Sequence, residues 1–229
     1  MTTLVLLPGL DGSGEMFAPL IEALDGFPTQ VIAYPPDLPM TYAEHEAYVR
    51  SRLSADEDFV LLAESFSGPI GISIAANAPP NLKALILCVT FASNPFPKLA
   101  PLSRLIGALP AARIPPALVA PLLYAGRATP KLRQAHAQAM ARVSPKAIRA
   151  RAVALLKVDY RPLLRRIEVP ILYMRATQDR MVGASACDSI RQLRPDVELA
   201  ELDTPHFLLQ TEPQRSAAII KSFIHSKVG

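Results

Sequence analysis

Three residue types in this chain can together break an acyl bond. Ser65 lies in Ala63-Glu64-Ser65-Phe66-Ser67-Gly68, directly after the apolar run Phe59-Val60-Leu61-Leu62 and before the long apolar run Pro69–Ala76. A serine at a strand-to-helix junction, with small residues two places to either side (Ala63 and Ser67), fits a sharp and strained turn that bulky side chains would block. Serine is a weak nucleophile at neutral pH and needs a base within hydrogen-bond reach. That base in turn needs an acid to fix its tautomer. His206 in Thr204-Pro205-His206-Phe207 and Asp179 in Gln178-Asp179 supply those types, each just after an apolar run. Ser67 is a second candidate nucleophile, disfavoured because Pro69 would crowd its turn. Asp203 is the competing acid, three residues before His206 on the same connection. His45 and His225 are expected on surface-facing helices, and His136 in the middle segment.

These residues need a frame that brings them to one edge. Six runs read as strands: Thr3–Leu7, Gln30–Tyr34, Phe59–Leu62, Leu82–Thr90, Val169–Ala176 and Val197–Leu202. Most are apolar on both faces, which marks strands covered by helices on both sides of a parallel sheet. Between them fall helices at Glu15–Leu24, Thr41 to about Leu53, Pro69–Ala76, Ala184–Leu193 and Glu212–Lys227; the second opens on a capping box, Thr41-Tyr42-Ala43-Glu44. The fold class read from this pattern is α/β, a mainly parallel sheet flanked by helices. In such a sheet the loops after the strands converge on the carboxyl edge, where Ser65, Asp179 and His206 all fall. The loop after the first strand, Gly9-Leu10-Asp11-Gly12-Ser13-Gly14, lacks the lysine of a P-loop and the spacing of a dinucleotide site. Its use is to let backbone N–H groups approach a negative charge.

The alternation stops near Phe91. Residues 92–166 read as an inserted helical lid rich in proline, and 1–91 with 167–229 as the body. Leu102, Leu105, Ile106 and Leu109 are expected to share one helical face, and Leu118, Val119, Leu122 and Leu123 another. Charge divides along the same boundary. Between Ser93 and Arg166 there are 14 Lys and Arg against the single Asp159, while the rest of the chain has 10 basic and 19 acidic residues. Such segregation suits an anionic partner. Nucleic acid is the poorer fit, since leucine and proline rather than aromatic residues interleave the cations.

With 229 residues, half of them hydrophobic, the chain can bury one sizeable core. The two cysteines, Cys88 and Cys187, suggest neither a disulfide framework nor a metal site. No apolar stretch reaches bilayer length, and the start lacks the basic region of a signal peptide, so a cytoplasmic protein is expected.

The chain order Ser, Asp, His is that of the α/β-hydrolase triad. The segments Leu7–Gly14, Ala63–Gly68, Gln178-Asp179 and Thr204–Gln210 resemble those of small bacterial α/β-hydrolases, across the body but hardly in the lid. Where the family often has histidine before the loop glycine, this chain has Pro8; Glu64 stands where histidine or aspartate is common. The resemblance implies an α/β-hydrolase fold and backbone N–H groups of Leu10 and Phe66 as oxyanion donors. It implies carboxylic ester cleavage through an acyl-enzyme, with no cofactor or metal. In size and architecture the chain is similar to pimeloyl-carrier methyl ester esterases. That likeness points to a small or carrier-linked acyl ester, with an acidic acyl carrier protein docking on the basic lid. A thioesterase acting on acyl-carrier or coenzyme A thioesters, a lysophospholipid hydrolase and a non-catalytic binding protein of the same fold are the alternatives.

Overall fold

A computed structural model describes residues 2–102 and 116–228. Six strands, β1 (Thr3–Leu7), β2 (Thr29–Val31), β3 (Phe59–Glu64), β4 (Leu82–Cys88), β5 (Ile171–Ala176) and β6 (Glu198–Leu202), form one sheet in the order β2-β1-β3-β4-β5-β6. Every pairing is parallel. The second strand is shorter than expected: after Ile32 N–H donates to Leu6 O (3.1 Å) the chain leaves β1, and Tyr34 N–H donates to Gly12 O (2.7 Å) of the glycine loop instead.

Alternation along each strand feeds two cores. Val5, Leu7, Leu61 and Ala63 join one apolar cluster, while Leu4, Leu6, Val60 and Leu62 join the other. The first face is covered by α2 (Tyr42–Arg50) and α3 (Gly68–Ala76). The second is covered by α1 (Ala18–Leu24), which follows a 3-10 turn at Glu15–Phe17, and by the C-terminal helix Pro213–Val228. The capping box of α2 is formed as expected: Thr41 Oγ1 accepts from Glu44 N–H, and the Glu44 carboxylate accepts from Thr41 N–H. The helix stops at Arg50 rather than Leu53.

Strand order reverses between β1 and β3, so the chain moves outward on opposite sides from that point. Helices on opposite faces then leave a crevice at the carboxyl ends of β1 and β3. The glycine loop after β1 and the Ser65 turn after β3 meet there.

The segment between β4 and β5 is helical in its described part: α4 (Pro116–Tyr124), α5 (Pro130–Arg142), α6 (Pro145–Leu155) and the short α7 (Arg161–Leu164), after a 3-10 turn at Pro97–Leu102. Leu105, Ile106 and Leu109, expected to share a face with Leu102, lie outside the described residues. Entry and exit of the segment are zipped together: Asn94 N–H donates to Val158 O (2.9 Å) and Tyr160 N–H to Ala92 O (2.7 Å). After β5 come α8 (Ala184–Leu193), β6, the short α9 (Leu208–Thr211) and α10 (Pro213–Val228).

Candidate active site

Ser65 sits on the turn that its neighbours implied. Its φ is +48°, a left-handed conformation that only an over-determined backbone holds in a non-glycine residue. Thr90 Oγ1 donates to Ser65 O, and Tyr42 Oη donates to Phe66 O (3.1 Å). Thr90 is itself held by Tyr173 Oη, which donates to its carbonyl (2.5 Å). Gly68 lies so close to Thr90 that an added Cβ would fall on the threonine side chain.

From this turn Ser65 Oγ reaches His206 Nε2 at 2.9 Å, and His206 Nδ1 lies 2.7 Å from Asp179 Oδ2. The other oxygen of Asp179 accepts the backbone N–H groups of Met181 (2.7 Å) and Val182 (2.9 Å), which fixes the carboxylate's plane. Asp203 does not meet His206. Its carboxylate accepts from Arg127 (2.8 Å), Thr177 (3.2 Å) and Gln178 (3.1 Å) on the outside of the loop. Ser67, the other candidate nucleophile, is fully buried; its hydroxyl accepts from Tyr34 Oη (2.5 Å) and donates to Pro8 O. The geometry thus brings Ser65, His206 and Asp179 together and leaves Ser67 and Asp203 as braces. A hydroxyl in such a chain can pass its proton to the imidazole while the carboxylate holds the ring.

The serine opens into an apolar cavity of about 280 Å³. Gly9, Leu10 and Phe66 line it on the sheet side, and the insertion roofs it with Leu123, Met140, Val143 and Ile148. Leu10 and Phe66, the expected oxyanion donors, therefore border the same space as Ser65. An added Cβ on Gly9 would stand 3.8 Å from Ser65 Cβ, so the loop lies directly against the serine.

One reading of the histidines needs correction. His45 was expected near the surface but is fully buried, its Nδ1 2.8 Å from Thr41 O and its ring edge-on to Tyr34 and Phe66. A helix start against the sheet body buries this face, and burial pulls the His45 pKa down to about 4. His136 is also buried; it meets Tyr124 Oη at 2.6 Å and borders the cavity.

Glu64 ends β3 directly beside Ser65. Its carboxyl is buried at the cavity, accepts from Gln210 Nε2 (2.9 Å) and from Gly9 N–H, and is pushed up to about 7, chiefly by burial. From the sequence neither Gln210 nor Arg151 is given a role of its own. Arg151 counted there as one of fourteen cations, yet it is fully buried. The available signal was its spacing: Ile148, Arg151 and Leu155 stand at i, i+3 and i+7, which places an arginine on an apolar helical face. Among the described residues no group of three His, Cys, Asp or Glu side chains could hold a metal ion.

The model of the Alpha/beta hydrolase family matches residues 4–219, and the chain belongs to that family. Solved structures show the same fold. A thermophilic esterase from Thermogutta terrifontis superposes with a TM-score of 0.83 at 19% identity, covering 100% of this chain and 91% of that one. A lipase-esterase related protein from Clostridium acetobutylicum gives 0.82 at 16% identity (97% and 94% covered). A hydrolase from Pseudomonas aeruginosa gives 0.76 at 24% identity (97% and 89% covered). No curated protein matches the sequence.

Proposed function

We propose that this chain is a serine hydrolase that cleaves a carboxylic ester through an acyl-enzyme. The observation that carries the reading is the continuous hydrogen-bonded path from Asp179 through His206 to Ser65 Oγ, ending at an apolar cavity. Ser65 Oγ attacks the ester carbonyl as its proton passes to His206 Nε2, and Asp179 stabilises the imidazolium. The tetrahedral oxyanion lies against the N–H groups of Leu10 and Phe66, each donor lowering the barrier by about 3 kcal/mol in comparable sites. Collapse breaks the C–O bond, and the leaving alkoxide takes the proton from His206. Water, deprotonated by the same histidine, then attacks the acyl-enzyme and releases the acid and Ser65. None of these steps draws on a cofactor.

Residues 92–166 act in this reading as a lid, a unit supported by its zipped ends and by its roof over the cavity. The apolar lining suits an acyl chain. The cationic surplus of the lid suits an acidic carrier, and a carrier-linked methyl ester is the substrate class this favours. Part of that surplus is already engaged with the body: Arg127 with Asp203, Arg142 with Glu15, and Arg166 with Asn77. Lys98, Lys131, Arg133, Lys146 and Lys157 remain exposed on it. A thioester on the same carrier would meet the same groups and is the second reading. Among the described residues no helix is long and apolar enough to cross a membrane.

The test is kcat/KM for a medium-chain methyl ester and its thioester analogue, free and attached to acyl carrier protein, at low and high salt. Ser65→Ala is expected to lower turnover by at least about 10³-fold without unfolding the chain. Retained hydrolysis in that variant would remove the reading. A carrier preference that collapses with salt supports docking on the lid; equal, salt-insensitive rates would reduce the function to that of a general esterase.

A further inference from the structure

We propose that Arg151, a residue of the insertion, is the positioning residue of the oxyanion loop, locking the turn that presents the Leu10 N–H. The inference rests on the ester-hydrolase reading and goes beyond it, because it makes the insertion part of the catalytic apparatus rather than a cover.

The loop after β1 closes as a turn in which Gly12 N–H donates to Gly9 O (3.0 Å). In such a turn the carbonyls of the two central residues face outward without a partner of their own. Here those residues are Leu10 and Asp11, and Arg151 Nη1 donates to both carbonyls, at 3.0 and 2.8 Å. The flanking carbonyls are held as well: Pro8 O by Ser67 Oγ, and Gly12 O by Tyr34 N–H (2.7 Å). Five consecutive peptide planes are thereby fixed, two of them by one side chain from a helix about 140 residues away in sequence. The plane carrying the Leu10 N–H is the one whose carbonyl accepts from Gly12. Its orientation holds only while the two residues between are held.

The chemistry of Arg151 argues against a merely packing role. Among the described residues it is the largest fully buried side chain, and no carboxylate lies within 4.0 Å of it. The carboxylate of Asp11 is occupied instead by Ser13, whose N–H (2.9 Å) and hydroxyl (2.5 Å) it accepts. Arg151 Nη2 donates to Pro35 O (3.1 Å), its Cζ stands 5.6 Å from the centre of the Tyr34 ring, and Nε has no protein partner. A buried guanidinium that has the Asp11 carboxylate nearby but forms no salt bridge with it is costly, and a methionine would fill an apolar helical face at less expense. What a methionine cannot do is donate to two turn carbonyls at once. Gly12 completes the fit: with φ +69° it lies under the guanidinium, and an added Cβ would stand 2.5 Å from Nη1.

The test uses the full chain carrying Arg151→Met or Arg151→Lys, with Ser65→Ala beside them. Rates are measured on a medium-chain 4-nitrophenyl ester and on its thionoester, whose C=S gains little from N–H donors. Amide hydrogen exchange is followed across residues 8–14. For Arg151→Met the expectation is a fall in kcat of about 10²-fold with KM within about threefold, a collapsed ester-to-thionoester rate ratio, and faster exchange confined to the loop. Arg151→Lys, which keeps the charge and some of the donors, is expected to lose about tenfold and serves should the methionine variant not fold. Wild-type kcat and rate ratio in the variant that folds, beside an inactive Ser65→Ala, would overturn the inference alone. Retained turnover in Ser65→Ala would overturn the hydrolase reading and this role with it.

Discussion

Two loops meet at the crevice between β1 and β3, and they are held in different ways. The Ser65 turn is braced wholly from the sheet body: Thr90 and Tyr42 hold its carbonyls, and Gly68 gives Thr90 room to approach. The glycine loop is braced by the body on one side, through Ser67 and Tyr34, and by the insertion on the other, through Arg151. The proposed nucleophile thus depends on the part that all doubly covered sheets share. The proposed oxyanion loop depends on a part that such sheets vary freely. Damage to the first should abolish chemistry; damage to the second should slow it.

The largest effect tests the body side. Asp179→Asn keeps the shape but favours the wrong tautomer of His206, and kcat is expected to fall by about 10⁴-fold with folding intact. Steady-state kinetics beside a thermal melt decide it. On the other side, Gly12→Ala forces a side chain at φ +69° against Arg151. Its expected signature is that of Arg151→Met, about 10²-fold in kcat, with a stability loss of about 1–3 kcal/mol from the strained backbone. A Gly12→Ala enzyme of full activity would break the contrast between the loops.

A third prediction concerns Glu64, which touches both loops through its own backbone and through the Gly9 N–H. Its folded pKa of about 7 lies above its ordinary 4.5, so the fold favours the protonated form. The stability this gives is fully present below pH 4.5 and is lost as pH rises through about 7, some 3 kcal/mol in all. His45, drawn down to about 4 from 6.5, runs oppositely: its contribution is present above pH 6.5 and lost as pH falls through about 4. Comparing denaturant melts of the parent and Glu64→Gln from pH 4 to 8 cancels the histidine. The difference should grow against the parent as pH rises; a constant difference would leave Glu64 uncoupled. The smallest effect belongs to Asp203→Asn, which loses an exposed pair with Arg127 and should leave turnover within a few-fold. A large loss there would give the competing acid a role that its geometry does not suggest.

The body of this molecule was legible because its signals are local. Apolar runs placed all six strands, the capping box placed α2, and small residues around Ser65 implied the turn that φ +48° displays. Position favoured Asp179 over Asp203, which lies only three residues before His206; the Met181 and Val182 amides that hold Asp179 appear only once the loop is folded. The same holds for His45, whose polar helix start gave no sign of the rings that bury it. Arg151 was hidden for a further reason. In a segment of fourteen cations its charge looked like one more solvated face, and only its position between Ile148 and Leu155 marked it as buried.

The order in which the parts of the site leave the ribosome follows from these contacts. Ser65 and His206 are 141 positions apart, and so are Leu10 and Arg151. The central strands β1, β3 and β4 can pair as soon as they emerge, so the strained Ser65 turn can form well before His206 is made. The glycine loop cannot be completed until the insertion has been made and has closed back on the sheet, and Ser65 meets His206 only after the strands beyond the insertion have done the same, the slow kind of contact. On the proposed mechanism a nascent chain carries an inert serine, and hydrolytic competence arrives late, when the distant halves dock.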